Sequence, residues 1–204
     1  MFTGLIEAVG EVLEVKATSD GFRLRVDTRL PDPVRVGESV AVNGVCLTTV
    51  LAEGGEIVAD IGPETARVTN LGGLRRGMPV NIERPMRTDG RFGGHLVMGH
   101  IDARGTVEEI RHQTDFEWVT VGFPSLLEPY LILKGSIAVD GISLTVAGLG
   151  RTSFDVMIIP FTWENTNFKA LRVGDQVNLE CDMVGKYVVR AVELLGLGQG
   201  GQTH

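Results

Sequence analysis

Ser39-Val-Ala-Val-Asn-Gly-Val-Cys-Leu-Thr48 and Ser136-Ile-Ala-Val-Asp-Gly-Ile-Ser-Leu-Thr145 are two versions of one ten-residue stretch, 97 positions apart and identical at six of the ten. Chance would match about one. The same spacing aligns Leu74-Arg-Arg-Gly-Met-Pro-Val-Asn-Ile-Glu83 with Leu171-Arg-Val-Gly-Asp-Gln-Val-Asn-Leu-Glu180, and Pro63-Glu-Thr65 with Pro160-Phe-Thr162. Near the amino terminus the spacing shortens to 95, where Gly4-Leu-Ile-Glu-Ala-Val-Gly10-Glu-Val12 meets Gly99-His-Ile-Asp-Ala-Arg-Gly105-Thr-Val107. Agreement of separate blocks in one register means an internal duplication, and two like domains follow.

Each copy reads as β. In the first, short apolar or alternating runs at 22–26, 39–42, 46–51, 56–60 and 80–84 are separated by glycines and turn residues. Asn43-Gly44 and Asp140-Gly141 sit between apolar runs, where a type I′ hairpin turn requires such a pair. About six short strands per copy predict a small closed barrel. Residues 64–70, 162–168 and 125–133 read as helical. A terminal helix over 182–197 carries Val184, Val188, Val189, Val192 and Leu195 at helical spacing. Having no counterpart in the first copy, it either packs on its own barrels or joins subunits, and its narrow apolar stripe favours the second. The tail 198–204 reads as disordered. The expected fold is all-β: two similar six-stranded Greek-key barrels at 1–92 and 93–187, followed by a terminal helix and tail at 188–204.

Composition narrows the function. Glycine, at 27 of 204 residues, implies many tight turns, and 43% hydrophobic residues suffice for a core. With 19 basic against 26 acidic residues the net charge is −7, and the cations are scattered, which excludes the basic footprint of a nucleic-acid binder. The two cysteines, Cys46 and Cys181, have neither disulfide-framework nor zinc-ligand spacing. No basic residue precedes Lys16 and no apolar run is long enough for a membrane helix, so a cytoplasmic protein without membrane contact is expected. Phosphate-loop and dinucleotide-binding motifs are absent from the sequence.

Positions alike in both copies report the shared fold, whereas sharp differences report division of labour. Cys46 aligns with Ser143, His100 with Leu5, and Thr3 with Met98. Cys46 also reads as a small buried hydrophobe, and His100 as a satisfied histidine. His95, after two glycines, reads as a loop histidine; His112 and His204 read as solvent-facing. A cysteine, a histidine and hydroxyls fit nucleophilic or general acid and base chemistry on an organic substrate.

Taken together, Met1-Phe-Thr-Gly4, Asn43-Gly-Val-Cys-Leu-Thr48, Pro63-Glu-Thr65, Thr69-Asn-Leu-Gly72, Gly93-Gly-His-Leu-Val-Met-Gly-His100, Lys134-Gly135, Asp140-Gly-Ile-Ser-Leu-Thr145 and Ile159-Pro-Phe-Thr162 closely resemble the riboflavin synthase family over nearly the whole chain. The resemblance implies transfer of a four-carbon unit between two molecules of 6,7-dimethyl-8-ribityllumazine, giving riboflavin and 5-amino-6-ribitylaminouracil without metal or cofactor. It implies a homotrimer in which the amino-terminal barrel of one subunit faces the carboxy-terminal barrel of its neighbour, each presenting one lumazine. Lumazine synthase, which supplies the substrate in some organisms, is a partner that the sequence neither requires nor excludes.

By the same resemblance the first barrel binds substrate through Gly4, Leu5 and Ile6, through Cys46, Leu47 and Thr48, and through Asp60, Ile61, Gly62, Pro63, Glu64 and Thr65. The second uses Gly99, His100 and Ile101, Lys134, and Ser143, Leu144 and Thr145. To these it adds Ile158, Ile159, Pro160, Phe161, Thr162 and Trp163. His100 is the expected proton acceptor at the acidic C7 methyl of one lumazine. Cys46, Ser143, Thr145 or water adds to C7 of the other. Phe2 and Thr3 close over the ring, Lys134 binds donor oxygens, and Asp182 resembles the family's acidic residue after the last strand. Phe161 and Trp163 depart from the polar residue and leucine common in the family, and Val42 from the histidine of some members. A non-catalytic lumazine- or flavin-binding antenna protein and a flavin-binding electron-transfer module are the competing readings.

Overall fold

The computed structural model describes residues 1–196. The first copy forms β1 (Ala8–Thr18), β2 (Gly21–Asp27), β3 (Ser39–Val42), β4 (Val45–Glu53), β5 (Glu56–Ile61) and β6 (Pro79–Glu83). The second forms β7 (Ala103–Gln113), β8 (Phe116–Gly122), β9 (Ser136–Val139), β10 (Ile142–Leu149), β11 (Ser153–Ile158) and β12 (Gln176–Cys181). Each set closes into an antiparallel barrel, with β1-β2-β5-β4-β3-β6 in the first and the same order in the second. β2 lies beside β5 rather than β3, the Greek-key crossing. Alternate residues such as Leu24 and Val26, or Val119 and Val121, point into each barrel and are buried, each contributing about 1.5–3 kcal/mol. Matched bulges at Val12/Glu14 and Val107/Glu109, and at Thr49/Leu51 and Val146/Gly148, bend the strands so that six suffice for closure.

The two hairpin turns behave as their residues require. Asn43 and Gly44 have φ of +45° and +76°, and Asp140 and Gly141 of +45° and +80°, the left-handed pair of a type I′ turn. The hairpin tips meet: a Cβ on Gly44 would stand 2.7 Å from Gly141 Cα. Around this contact the barrels are joined by six polar side chains related by the repeat. Asn178 donates to Asn43 O (2.8 Å) and Asn70 Oδ1 (2.9 Å), while Asn81 donates to Asp140 O (3.0 Å) and Asn167 Oδ1 (2.8 Å). Asp140, where the first copy has Asn43, breaks the symmetry. Its carboxylate accepts from Asn178 N–H (2.8 Å), Asn70 Nδ2 (2.9 Å) and Asn167 Nδ2 (2.7 Å).

The helices are shorter than the sequence suggests. The segment expected as helical over 64–70 is α1 (Pro63–Val68), an extended Thr69 and a separate 3-10 turn at Asn70–Gly73. The Thr69 hydroxyl donates to Thr65 O and accepts from Leu71 N–H, and Asn70 N–H turns away to Asn178 of the other barrel. Its copy, expected over 162–168, divides in the same way into α2 (Pro160–Glu164) and a turn at Asn167–Ala170. Over 125–133 only a 3-10 turn forms, at Ser125–Tyr130, because Pro129 removes a helical donor.

α3 spans Met183–Leu194, its first turn closed by Asp182, which accepts from Val184 N–H at 2.9 Å. The helix falls within the 182–197 expected for it, so the boundary drawn at 188 cuts through it, and the tail expected to be disordered lies outside the described residues, as does His204. Lys186 ties α3 to Asp102 at 2.7 Å, while Val184, Tyr187, Val188, Val192 and Leu195 remain exposed. No helix among the described residues is long and apolar enough to cross a membrane.

Candidate active site

The site is built by two short segments that exchange barrels. Ahead of β1 and β7, Phe2 N–H donates to Val97 O (2.7 Å) and Val97 N–H to Phe2 O (3.2 Å). With Ala41 and Ala138 these residues form a small shared core on the pseudo-twofold axis. Each segment then crosses to the other copy. Gly4 O accepts from Ser143 N–H at 2.8 Å, and Gly99 O from Cys46 N–H at 3.0 Å. Ile6 packs on the second barrel's core and Ile101 on the first's.

This corrects the expected partition, because Gly4, Leu5 and Ile6 belong with Ser143, and Gly99, His100 and Ile101 with Cys46. Alignment within the repeat finds the matched pairs but not which barrel each segment covers. The crossing is possible because Gly4 and Gly99 have φ of +74° and +80°, and a Cβ there would stand 2.6 Å from Ser143 Cβ and 2.4 Å from Cys46 Cβ.

Two buried carboxylates hold the crossings. Glu83 accepts from Thr3 N–H (2.6 Å), the Thr3 hydroxyl (2.8 Å) and Gly4 N–H (3.0 Å). Glu180 accepts from the N–H groups of Met98 (2.6 Å), Gly99 (2.9 Å) and His100 (3.1 Å). Burial pushes both carboxyls above their ordinary range, and the N–H donors counter it. Neither glutamate is singled out in the sequence, although the pair ends one of the repeated blocks.

The expected residues separate by role. Phe2 is 0% exposed, so it cements the shared core and closes over nothing. Thr3 is buried with its hydroxyl committed to Glu83, which makes it a positioning residue rather than a lid. Asp182 caps α3. Leu47, Ile61 and Ile158 point into the barrel cores, leaving only their backbones to a ligand. Thr48 and Thr145 are exposed, while Leu144, Thr65 and Thr162 are half-buried. Gly62, Pro63 and Pro160 are exposed at the starts of α1 and α2. Asp60 and Glu64 are tied to Arg23 (2.7 Å) and Arg67 (2.6 Å), and those arginines hold both carboxyls below their ordinary range. Lys134 is exposed at φ +68°, where the first copy has Gly37 at +87°. A lysine in that conformation is strained, and its ammonium makes no salt bridge among the described residues.

Two unlike reactive sets result. On the first barrel, half-buried Cys46 and exposed His100 stand on adjoining backbone. Cys181, by contrast, is buried, and burial together with Asp102 pushes its thiol up to about 12, which leaves Cys46 as the accessible thiol. On the second barrel His95 Nδ1 lies 2.7 Å from Ser143 Oγ. His95 is not the loop histidine that its sequence context suggests: it is 7% exposed and its Nε2 is buried without a partner. An unmatched buried nitrogen costs about 1–3 kcal/mol, and here it belongs to the ring that meets the Ser143 hydroxyl. Burial holds this imidazole below its ordinary value, with the Asp182 charge acting in the opposite direction, so it is neutral at pH 7. The signal was Gly93-Gly94: a Cβ on Gly94 would stand 1.9 Å from Thr3 O, so glycine alone lets the chain enter.

A cleft of about 330 Å³ between the barrels is lined by Asn70, Leu74, Asp140 and Leu171 but by none of these reactive groups. Another, of about 850 Å³, runs past Thr3, Leu5, Ser39 and Glu83 at the exchanged segment. Among the described residues no three His, Cys, Asp or Glu side chains are grouped to hold a metal.

A family model described as the lumazine binding domain matches residues 3–85 and again 98–182. The riboflavin synthase of Bacillus amyloliquefaciens is 39% identical over 204 residues, covering 100% of this chain and 95% of that protein. The chain belongs to the riboflavin synthase family. The riboflavin synthase of Mycobacterium tuberculosis (strain H37Rv) is 44% identical over 201 residues, covering 96% of this chain and all of that one. That of Actinobacillus pleuropneumoniae is 43% identical, covering 92% of this chain and 88% of its own. Among solved structures, LumP complexed with riboflavin superposes with a TM-score of 0.81 at 24% identity, covering 89% of this chain and 99% of LumP. That likeness speaks for the riboflavin synthase fold alone.

Proposed function

We propose that this chain catalyses the dismutation of two 6,7-dimethyl-8-ribityllumazine molecules to riboflavin and 5-amino-6-ribitylaminouracil. The observation that carries the proposal is the pair of repeat-related residue sets with unlike chemistry: thiol and imidazole on the first barrel, serine and neutral imidazole on the second. A dismutation needs one substrate held twice in unequal roles.

The C7 methyl of a lumazine is a carbon acid, since its anion delocalises into the electron-poor ring. His100, exposed beside Cys46, takes that proton. The second lumazine accepts a nucleophile at C7. Ser143 is best placed to supply it, because His95 at 2.7 Å is neutral and can receive the hydroxyl proton. Lys134 offers a cation to ring oxygens, and Cys46 stands beside His100 on the first barrel. Holding two rings in register supplies up to about 7–11 kcal/mol.

The two residue sets complete each other between subunits of a homotrimer. The exposed stripe Val184, Tyr187, Val188, Val192 and Leu195 on α3 supports that assembly, because so much apolar surface on one helix calls for a partner. The reading places the reaction in the cytoplasm.

The test is to incubate the purified chain with the lumazine alone and to follow both products by chromatography. Equal amounts of riboflavin and the diaminouracil-type product, from two lumazines consumed, are expected. Tight binding without turnover would replace the enzyme reading by that of an antenna protein.

A further inference from the structure

We infer that the cleft between the barrels is a separate ligand site, which takes a small organic acid: a carboxylate on an apolar body. The inference is independent of the activity proposed above, because none of the reactive groups lines this cleft.

At about 330 Å³ the cleft is large enough for a small molecule. Leu74 and Leu171 line it as a pair related by the repeat. Beyond them the symmetry fails. Met78 and Pro79 stand on one side where the second copy presents Asp175 and Gln176, and Arg104 stands where the first copy has Val9. One end of the cleft is therefore apolar and the other polar.

The unmatched charged and amide groups there are donors. Asn43, which lines the cleft, is 2% exposed, and its Oδ1 accepts from Asn81 N–H at 2.8 Å. That bond fixes the orientation of the amide and leaves Nδ2 without an acceptor among the described residues. A donor so enclosed and unpaired calls for a partner, and an oxygen of a ligand in the cleft supplies one. Arg104, exposed on β7, makes no ion pair among the described residues. The carboxylates of the lining are committed instead. Asp140, the counterpart of Asn43, takes three N–H groups, and Asp175 takes Arg172 N–H at 2.8 Å. Free donors beside committed carboxylates select a ligand that brings acceptor oxygens, and a guanidinium selects a carboxylate. Leu74, Met78 and Pro79 cover its apolar body.

The experiment titrates 3-phenylpropionate into the full chain at about pH 6, where the Asp140 carboxyl, pushed up to about 7 by burial, is mostly uncharged. Calorimetry follows binding, and so does the methyl resonance of Met78, identified by its absence in Met78→Leu. Saturable binding at roughly millimolar concentration or below is expected, with the Met78 resonance shifted and the affinity the same whether or not riboflavin is present. 3-Phenylpropanol and phenethylammonium, which lack the carboxylate, should bind roughly tenfold or more weakly. Arg104→Met, at an exposed position, should weaken phenylpropionate by about the same factor and leave the alcohol unchanged.

Absence of saturable binding, displacement by riboflavin, tighter binding of the ammonium, or an unaltered affinity in Arg104→Met would each overturn the inference. Failure of the dismutase reading is a different result, seen in the product chromatography.

Discussion

Replacing Asp140 by asparagine should remove a pH dependence of stability that originates at one atom group. Asp140 is 1% exposed between the barrels, and burial raises its carboxyl from 3.8 to about 7, against the hydrogen bonds from Asn178, Asn167 and Asn70. A raised value means that the folded state binds the proton more tightly than the unfolded chain. The stability this brings is present in full below pH 3.8 and is lost as the pH climbs to about 7, amounting to about 4 kcal/mol across that window.

In Asp140→Asn the side-chain oxygen can keep the bonds from Asn178 N–H and Asn70 Nδ2, both now made to Oδ1. The new amide nitrogen would face Asn167 Nδ2, whose 2.7 Å bond is lost, although Asn167 still reaches Asn43 Oδ1 at 3.4 Å. That loss costs about 1–3 kcal/mol at every pH. The stability difference, wild type minus variant, should therefore fall by about 4 kcal/mol between about pH 4 and pH 8. Urea unfolding of both proteins across this range measures it, and contributions from Glu83 and Glu180 cancel in the difference. Parallel pH profiles would refute the reasoning, showing that three N–H donors keep the carboxyl ionised throughout.

Thr49 holds a buried hydroxyl with no partner where the second copy has Val146, so Thr49→Val should stabilise the protein by about 1–2 kcal/mol in denaturant melts; an unchanged midpoint would speak against it. His95→Ala should lower kcat about a hundredfold or more with riboflavin affinity retained; wild-type kcat in the variant would remove its role as acceptor of the Ser143 hydroxyl proton. His100→Ala should lower turnover while the circular dichroism spectrum is preserved; wild-type turnover would remove its role as proton acceptor. Gly99→Ala sets a Cβ 2.4 Å from that of Cys46 at φ +80°, and should cost about 1–3 kcal/mol from backbone strain alone, with activity lost in the same assay.

The duplication, the strand runs and both hairpin turns were legible because each is a local pattern repeated in register, and repetition removes chance. The type I′ turns needed only Asn-Gly and Asp-Gly. Helix ends were not legible, since Thr69 and Thr166 break α1 and α2 through side-chain bonds and contacts with the opposite barrel. His95 was misread for a similar reason: nothing near it in sequence reveals that Gly94 lets it sink against Ser143, 48 residues away.

Which copy each residue belongs to, and which pairs differ in chemistry, was thus determined by the sequence alone, through alignment of the chain with itself. The tertiary structure decided how those residues combine. Gly4 and Gly99 carry their segments across the pseudo-twofold axis, so His100 joins Cys46 and Leu5 joins Ser143. The exchange depends on the Phe2–Val97 bridge and on Glu83 and Glu180 gathering backbone N–H groups at 2.6–3.1 Å. Such contacts join parts of the chain some 80 residues apart, a separation over which no local periodicity carries information.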